Sequence, residues 1–214
     1  MGILVMVLGK SGAGKSTSLR NFEPDEVGIF NVAGKPLPFR KRLPKADRCG
    51  YATIAKSLKA NKLRAYVIDD STYLMQFANF ARSKETGYGK FTEMAYDFEQ
   101  MLEAAMATDD DTVVYLLHHP DTDERGNVKP KTIGRMLDEK LCVEGLFPIV
   151  IGCEVQDGEH VFTVENDGFG VTKAPMGMFE APTMDNDLKA VDAAIREYYG
   201  LAPLKGAADG KADE

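Results

Sequence analysis

Unbroken apolar runs and amphipathic stretches alternate along the chain. Residues 3–8, Ile-Leu-Val-Met-Val-Leu, form an apolar run that stops at Gly9. A run with no polar alternation predicts a central parallel strand covered on both faces. A glycine-rich loop follows, with a helix predicted to begin near Lys15. The second run, 27–32, ends at Ala33-Gly34-Lys35-Pro36-Leu37-Pro38, where glycine and two prolines predict a loop. Residues 51–60 read as a short helix, and 64–69 as a strand whose apolar residues stop at Asp69 and Asp70. In 91–106, Phe91, Met94, Ala95, Phe98, Met101, Leu102 and Ala105 recur at helical spacing and predict one buried face.

A further strand over 112–117 ends at His118-His119-Pro120. A polar loop carrying Arg125, Lys129 and Lys131 follows, then a helix ending near Cys142. Residues 147–155 and 160–165 flank Gln156-Asp157-Gly158-Glu159, and Asp-Gly between β-rich runs predicts a hairpin. His160 is expected there as an ordinary surface residue. Over 185–199, Leu188, Val191, Ala194, Ile195 and Tyr198 have helical spacing, and Gly200 suits the helix end. Together these elements predict an α/β three-layer sandwich with a mainly parallel sheet and a C-terminal antiparallel hairpin. One domain is expected over 1–200, with a disordered tail over 201–214.

Composition narrows the possibilities. A chain of 214 residues with 44% hydrophobic and 28% charged residues has enough apolar material for one folded domain. A net charge of -7 excludes a surface that is basic all over, so nucleic acid would have to meet local Lys and Arg clusters. Cys49, Cys142 and Cys153 are odd in number and form no CxxC pair, which predicts reduced thiols. With no basic leader before residues 3–8 and no run long enough to span a bilayer, a cytoplasmic protein without a membrane partner is expected.

The most specific chemistry is Gly9-Lys10-Ser11-Gly12-Ala13-Gly14-Lys15-Ser16, the pattern G-x-x-x-x-G-K-[ST] between a strand and a helix. Glycines let such a loop wrap phosphate with backbone N–H groups and a helix N-terminus aimed inward. ATP and Mg²⁺ are the expected cofactors. Lys15 is placed at the β- and γ-phosphates, Ser16 at Mg²⁺ and Thr17 at the α-phosphate. Asp69, ending an apolar strand, is the second metal-side residue. Asp70 either orients the attacking water or caps the helix opened by Ser71 and Thr72. His118 and His119 follow a neighbouring strand, where one of them either senses the γ-phosphate or is structural.

Two basic segments are candidates for nucleic acid: Lys35, Arg40, Lys41, Arg42, Lys45 and Arg48, then Lys129, Lys131 and Arg135. These residues could neutralise backbone phosphates while Phe39 or Tyr51 stacks on bases, or they could be ordinary solvated loops.

The phosphate loop, the segment Gly34-Lys35-Pro36-Leu37-Pro38-Phe39, Asp69, His118-His119-Pro120, the Lys129-to-Arg135 stretch and the helix start Asn186-Asp187-Leu188 resemble small phage-encoded RecA-like ATPases. That group includes single-strand annealing recombinases, and the resemblance covers residues 1 to about 200. It implies a RecA-like P-loop fold, single-stranded DNA held by residues 121–131, a γ-phosphate sensor at His118 or His119, and neighbouring subunits of a homo-oligomer enclosing the nucleotide. A single-strand-binding protein is an expected partner. One departure stands out: such ATPases place a catalytic glutamate at the end of the second strand, where this chain offers Asn31. Hydrolysis is then slow, or Asp70 substitutes.

Two other readings remain open. A small nucleotide or metabolite kinase would use residues 121–135 as a lid, with Arg125 or Arg135 clamping phosphate. A nucleotide-switched interaction module would use the same loop to bind a protein.

Overall fold

Strand β1 (Ile3–Leu8) lies in the middle of the molecule, with five of its six residues buried. The computed structural model describes residues 1–165 and 170–204. After β1 come a 3-10 helix (Ser16–Asn21), β2 (Gly28–Asn31), β3 (Lys45–Asp47), α1 (Tyr51–Ala60), β4 (Ala65–Asp69), α2 (Thr72–Ala81), α3 (Gly89–Met106) and β5 (Val113–His118). The second half holds β6 (Pro120–Thr122), β7 (Val128–Pro130), α4 (Arg135–Glu139), a 3-10 turn (Val143–Leu146), β8 (Ile149–Gln156), β9 (Glu159–Thr163), β10 (Thr183–Asp185) and α5 (Leu188–Tyr199).

Eight strands form one sheet in the order β10-β9-β8-β1-β5-β4-β2-β3. Neighbours from β8 to β3 are parallel, and β9 runs antiparallel to both β8 and β10. This is the expected α/β sandwich, because alternate residues of each strand feed cores on opposite faces. Leu4, Met6, Ile68 and Leu116 meet Ile54, Leu58, Met75, Phe98 and Leu102 of α1, α2 and α3. Val5, Val7, Val67 and Tyr115 meet Leu19 of the 3-10 helix and Leu188, Val191 and Ile195 of α5. Each large apolar side chain buried this way contributes about 1.5–3 kcal/mol. That is why the central strands read as unbroken apolar runs.

Several local expectations change. The helix expected near Lys15 begins at Ser16 and is a 3-10 helix. Ser18 turns its hydroxyl back onto Lys15 O at 2.6 Å, a local bond that competes with regular helix. The polar loop after His119 is a two-stranded ribbon, β6 with β7, pairing Pro120 with Pro130 and Thr122 with Val128. Its tip is tied by Asp123, whose Oδ1 accepts from the N–H groups of Arg125 and Asn127 at 2.9 and 2.8 Å. The helix expected to reach Cys142 stops at Glu139.

The β8–β9 hairpin forms as expected, with Asp157 and Gly158 at φ 51° and 88°, the left-handed pair that a two-residue turn requires. Helix α5 is capped at its start by Asp187, which accepts from Lys189 N and Ala190 N, and ends at Gly200 with φ 65°.

Beneath the sheet, buried Arg196 donates to Asp192 and to the carbonyls of Arg64, Asp111 and Ala202. Tyr115 Oη donates to Asp192 Oδ1 at 2.8 Å. The tail expected from residue 201 begins packed, with Leu204 in the core. The rest of it, 205–214, lies outside the described residues. All three cysteines are free thiols, and no described helix is long and apolar enough to cross a membrane.

Candidate nucleotide-binding site

The loop from Gly9 to Lys15 joins the C-terminal end of β1 to the 3-10 helix. Gly9 is required by close approach, since a Cβ there would lie 2.5 Å from Cys153 O on β8. Gly12 and Gly14 are required by backbone, at φ 84° and 104°. Ala13 N–H closes the turn onto Lys10 O at 3.2 Å. Among the described residues, the N–H groups of Gly12, Gly14 and Lys15 donate to no backbone carbonyl. Free N–H groups ahead of a helical turn make an anion-binding concavity.

Lys15 is buried, and its Nζ donates to Gly9 O at 2.6 Å and Lys10 O at 3.1 Å. Burial pulls its pKa below the usual lysine value. A phosphate would offer this ammonium a full negative charge in place of two carbonyl dipoles. Lys10 and Ser11 are exposed, and Thr17 is half-buried.

Ser16 Oγ donates to Asp69 Oδ1 at 2.8 Å. Asp69, ending β4, is buried, and its pKa is pushed up to about 6 by that burial and then by the charge of Asp70. A buried carboxylate that holds its charge poorly, paired with a hydroxyl, is a hard-oxygen site short of positive charge. Mg²⁺ fits that donor set. β5 lies between the loop strand β1 and the carboxylate strand β4, all three parallel, so the loop and Asp69 stand at the same C-terminal edge of the sheet.

Asp70 does not cap α2. Ser71 occupies the cap position and no side chain caps the helix. The Asp70 carboxylate instead takes Lys35 Nζ at 2.7 Å and faces His119 Nε2 at 3.5 Å. Its backbone adopts φ 60°, a left-handed conformation that Asp and Asn enter more readily than other residues with a Cβ. Burial opposes its ionisation, but the hydrogen bonds from His119 and Lys35 outweigh it and hold the carboxyl below the usual range. Tyr73 completes the cluster, with the Lys35 ammonium 5.3 Å from its ring centre and the His119 ring edge-on at 5.9 Å.

The two histidines divide. His118 is fully buried, with Nε2 2.8 Å from Lys131 O and Nδ1 2.8 Å from Ser71 Oγ. Burial drives its pKa down to about 4, so the ring is neutral. A carbonyl only accepts, so Nε2 carries the proton and Nδ1 accepts from Ser71. Both nitrogens are thus engaged within the protein, and His119 is the member of the pair that reaches Asp70. Asn31, at the second-strand end, is likewise occupied. Its amide donates to Lys35 O and Asp47 Oδ1 at 2.6 and 2.7 Å, and its Oδ1 accepts from Gly34 N.

Of the basic candidates, Lys41 pairs with Glu23 at 2.6 Å, Lys129 with Asp138 and Arg135 with Glu139 at 3.5 Å. Arg40, Arg42 and Lys131 are exposed. Phe39 and Tyr51 are not free stacking platforms, because each packs against a core cluster. Exposed aromatic rings lie elsewhere, at Phe77, Phe80, Tyr88 and Tyr96.

Sequence reasoning missed a wall behind the loop. His160 is exposed, as expected, but its Nδ1 lies 2.9 Å from Ala13 O, where Cys153 Sγ also donates at 3.2 Å. Asn186 lies beside them, with Nδ2 3.4 Å from Cys153 Sγ. Only the hairpin register carried a signal, since it puts His160 two residues before Phe162, the partner of Cys153. Against the loop, a cleft of about 1060 Å³ is lined by Lys10, Gly12, Thr122, Val128, Glu154 and Thr172, among others.

No protein-family model matches the chain, and no curated protein matches it. Among solved structures it is similar to the Legionella pneumophila ATPase DotB, with a TM-score of 0.39 and 10% identity over 93% of this chain and 53% of that one. The chain therefore spans about half the length of that ATPase.

Proposed function

We propose that the chain binds Mg-ATP at residues 9–17, hydrolyses it slowly to ADP and phosphate, and uses it to set two basic segments that hold single-stranded DNA for annealing. The observation behind this reading is the position of Asp70. This carboxylate follows the metal-side Asp69 and grips Lys35, the root of the first basic segment. It also faces His119, the root of the β6–β7 ribbon that carries Lys129. Charge brought to Ser16, Asp69 and Lys15 therefore acts on both segments through one group.

Ser16 and Asp69 would hold Mg²⁺, which would supply positive charge to offset the charge developing on the phosphates. Lys15 holds the γ-phosphate, and Asp70, once released by Lys35, accepts a proton from the attacking water. Its engagement with Lys35 and His119 accounts for slow turnover. DNA phosphates replace Glu23 on Lys41, Asp138 on Lys129 and Glu139 on Arg135, and meet Arg40, Arg42 and Lys131 directly. A homo-oligomer and a single-strand-binding protein partner belong to the same proposal.

Titrating a labelled single-stranded oligonucleotide with the protein, followed by fluorescence anisotropy, tests the reading. Binding tightened by Mg-ATP and weakened by salt is expected. No binding in any condition overturns it. Two other readings then gain weight. The cleft beside the loop favours phosphoryl transfer to an acceptor seated there, and the self-paired basic residues favour a nucleotide-switched protein contact.

A further inference from the structure

The β8–β9 hairpin is long enough to carry its second strand past the end of the sheet, and its register decides what it touches. Val155 faces His160 and Cys153 faces Phe162 across the pair. Side chains two apart on a strand share a face, so His160 lies on the side of Cys153, one step further out. Both reach the same atom, the carbonyl oxygen of Ala13, at 2.9 and 3.2 Å. Gly14 closes against this wall: a Cβ there would lie 3.0 Å from His160 Nδ1 and 3.2 Å from Asn186 Nδ2.

The carbonyl of Ala13 and the N–H of Gly14 belong to one peptide unit. Among the described residues no peptide bond is cis, so the two groups point in opposite directions. Holding the oxygen back against the hairpin therefore aims the Gly14 N–H away from it, where it donates to no described backbone carbonyl. Gly14, at φ 104°, has no Cβ to restrict its backbone and would otherwise leave this peptide free to rotate. A carbonyl accepts only, so His160 Nδ1 carries the proton in this bond. Cys153 is the weaker donor of the two.

Building on the nucleotide reading above, we infer that His160 is a positioning residue of the phosphate site: its Nδ1–H fixes the Ala13–Gly14 peptide so that the Gly14 N–H is preset to meet a nucleotide phosphate. The hairpin is thereby part of the nucleotide site, although no hairpin residue belongs to the loop motif.

Calorimetric titration of Mg-ATP into the full chain tests this with wild type, His160→Ala and His160→Asn. Asparagine can place an amide donor near the position of Nδ1. His160→Ala is expected to bind about tenfold more weakly, the size of one lost hydrogen bond. His160→Asn is expected to regain most of that loss, and the two variants should melt at the same temperature without nucleotide. Equal binding by His160→Ala and wild type overturns the positioning role alone. So does His160→Asn binding as weakly as His160→Ala. Failure of the wild type to bind Mg-ATP overturns the nucleotide reading and this role with it.

Discussion

The carboxylate of Asp70 lies 2.7 Å from the ammonium of Lys35 while its other oxygen faces His119. These partners come from three loops that follow β2, β4 and β5, which are neighbours in the sheet in the order β5-β4-β2. Ligands of open α/β sheets gather at this edge, the carboxyl ends of the strands. Asp70 thus joins the nucleotide side of the molecule to both basic segments.

Lys15→Ala should bind Mg-ATP about 10- to 100-fold more weakly, the loss expected for one charge-assisted hydrogen bond. Isothermal titration calorimetry measures this. The variant should fold normally, because the buried Nζ contacts only loop carbonyls. Wild-type affinity in this variant would remove the loop from the account.

His118 gives the protein a pH signature. Its pKa is lowered by burial to about 4, whereas an unfolded chain titrates near 6.5. A lowered folded value means that the unfolded state takes the proton first as pH falls. The stability supplied by His118 is therefore complete above pH 6.5 and is lost as pH falls from 6.5 to about 4. The loss is on the order of 3 kcal/mol. Asp69, raised to about 6, changes stability in the opposite direction over an overlapping range. It is common to wild type and His118→Gln, so it cancels in their difference. Denaturation of both proteins by urea should show the advantage of wild type over His118→Gln shrinking between pH 7 and pH 4. A constant difference would contradict a neutral buried ring.

The phosphate loop was legible because its motif is contiguous and lies between an apolar strand and a helical segment. Asp69 was legible because a buried strand stops on a charge. The partners of Asp70 were not, because Lys35 and His119 meet it only once β2, β4 and β5 are aligned in the sheet. The ribbon of β6 and β7 was hidden by its short strands and their prolines, which weaken any periodic signal. His160 was missed because a strand residue's surroundings depend on register, and the Asp-Gly turn predicts a hairpin without saying what its far end touches.

Arg196→Met should cost about 3–5 kcal/mol, since it leaves the Asp192 carboxylate buried without its cation. Urea denaturation measures the loss. It should leave Mg-ATP affinity unchanged, because the pair lies under the sheet and bonds Tyr115 and the carbonyls of Arg64, Asp111 and Ala202. A loss below about 1 kcal/mol would show that the pair is worth no more than an exposed one.

Lys129→Ala combined with Lys131→Ala should weaken single-stranded DNA binding. The slope of log affinity against log salt should fall by about 0.7 for each DNA phosphate that the variant no longer neutralises. Mg-ATP affinity should stay near wild type. Anisotropy titrations at several salt concentrations check the DNA binding and calorimetry the nucleotide, and an unchanged slope would take the ribbon out of the DNA-binding surface.

Asp70→Asn tests the link between nucleotide and DNA most directly. Asparagine tolerates the left-handed backbone that Asp70 adopts, so the change removes charge while keeping local shape. Anisotropy of a labelled single-stranded oligonucleotide, with and without Mg-ATP, should show wild type tightening its grip when nucleotide is added. Asp70→Asn should bind DNA equally well in both conditions, because Lys35 and His119 are no longer held. An undiminished response to Mg-ATP in Asp70→Asn would contradict the account.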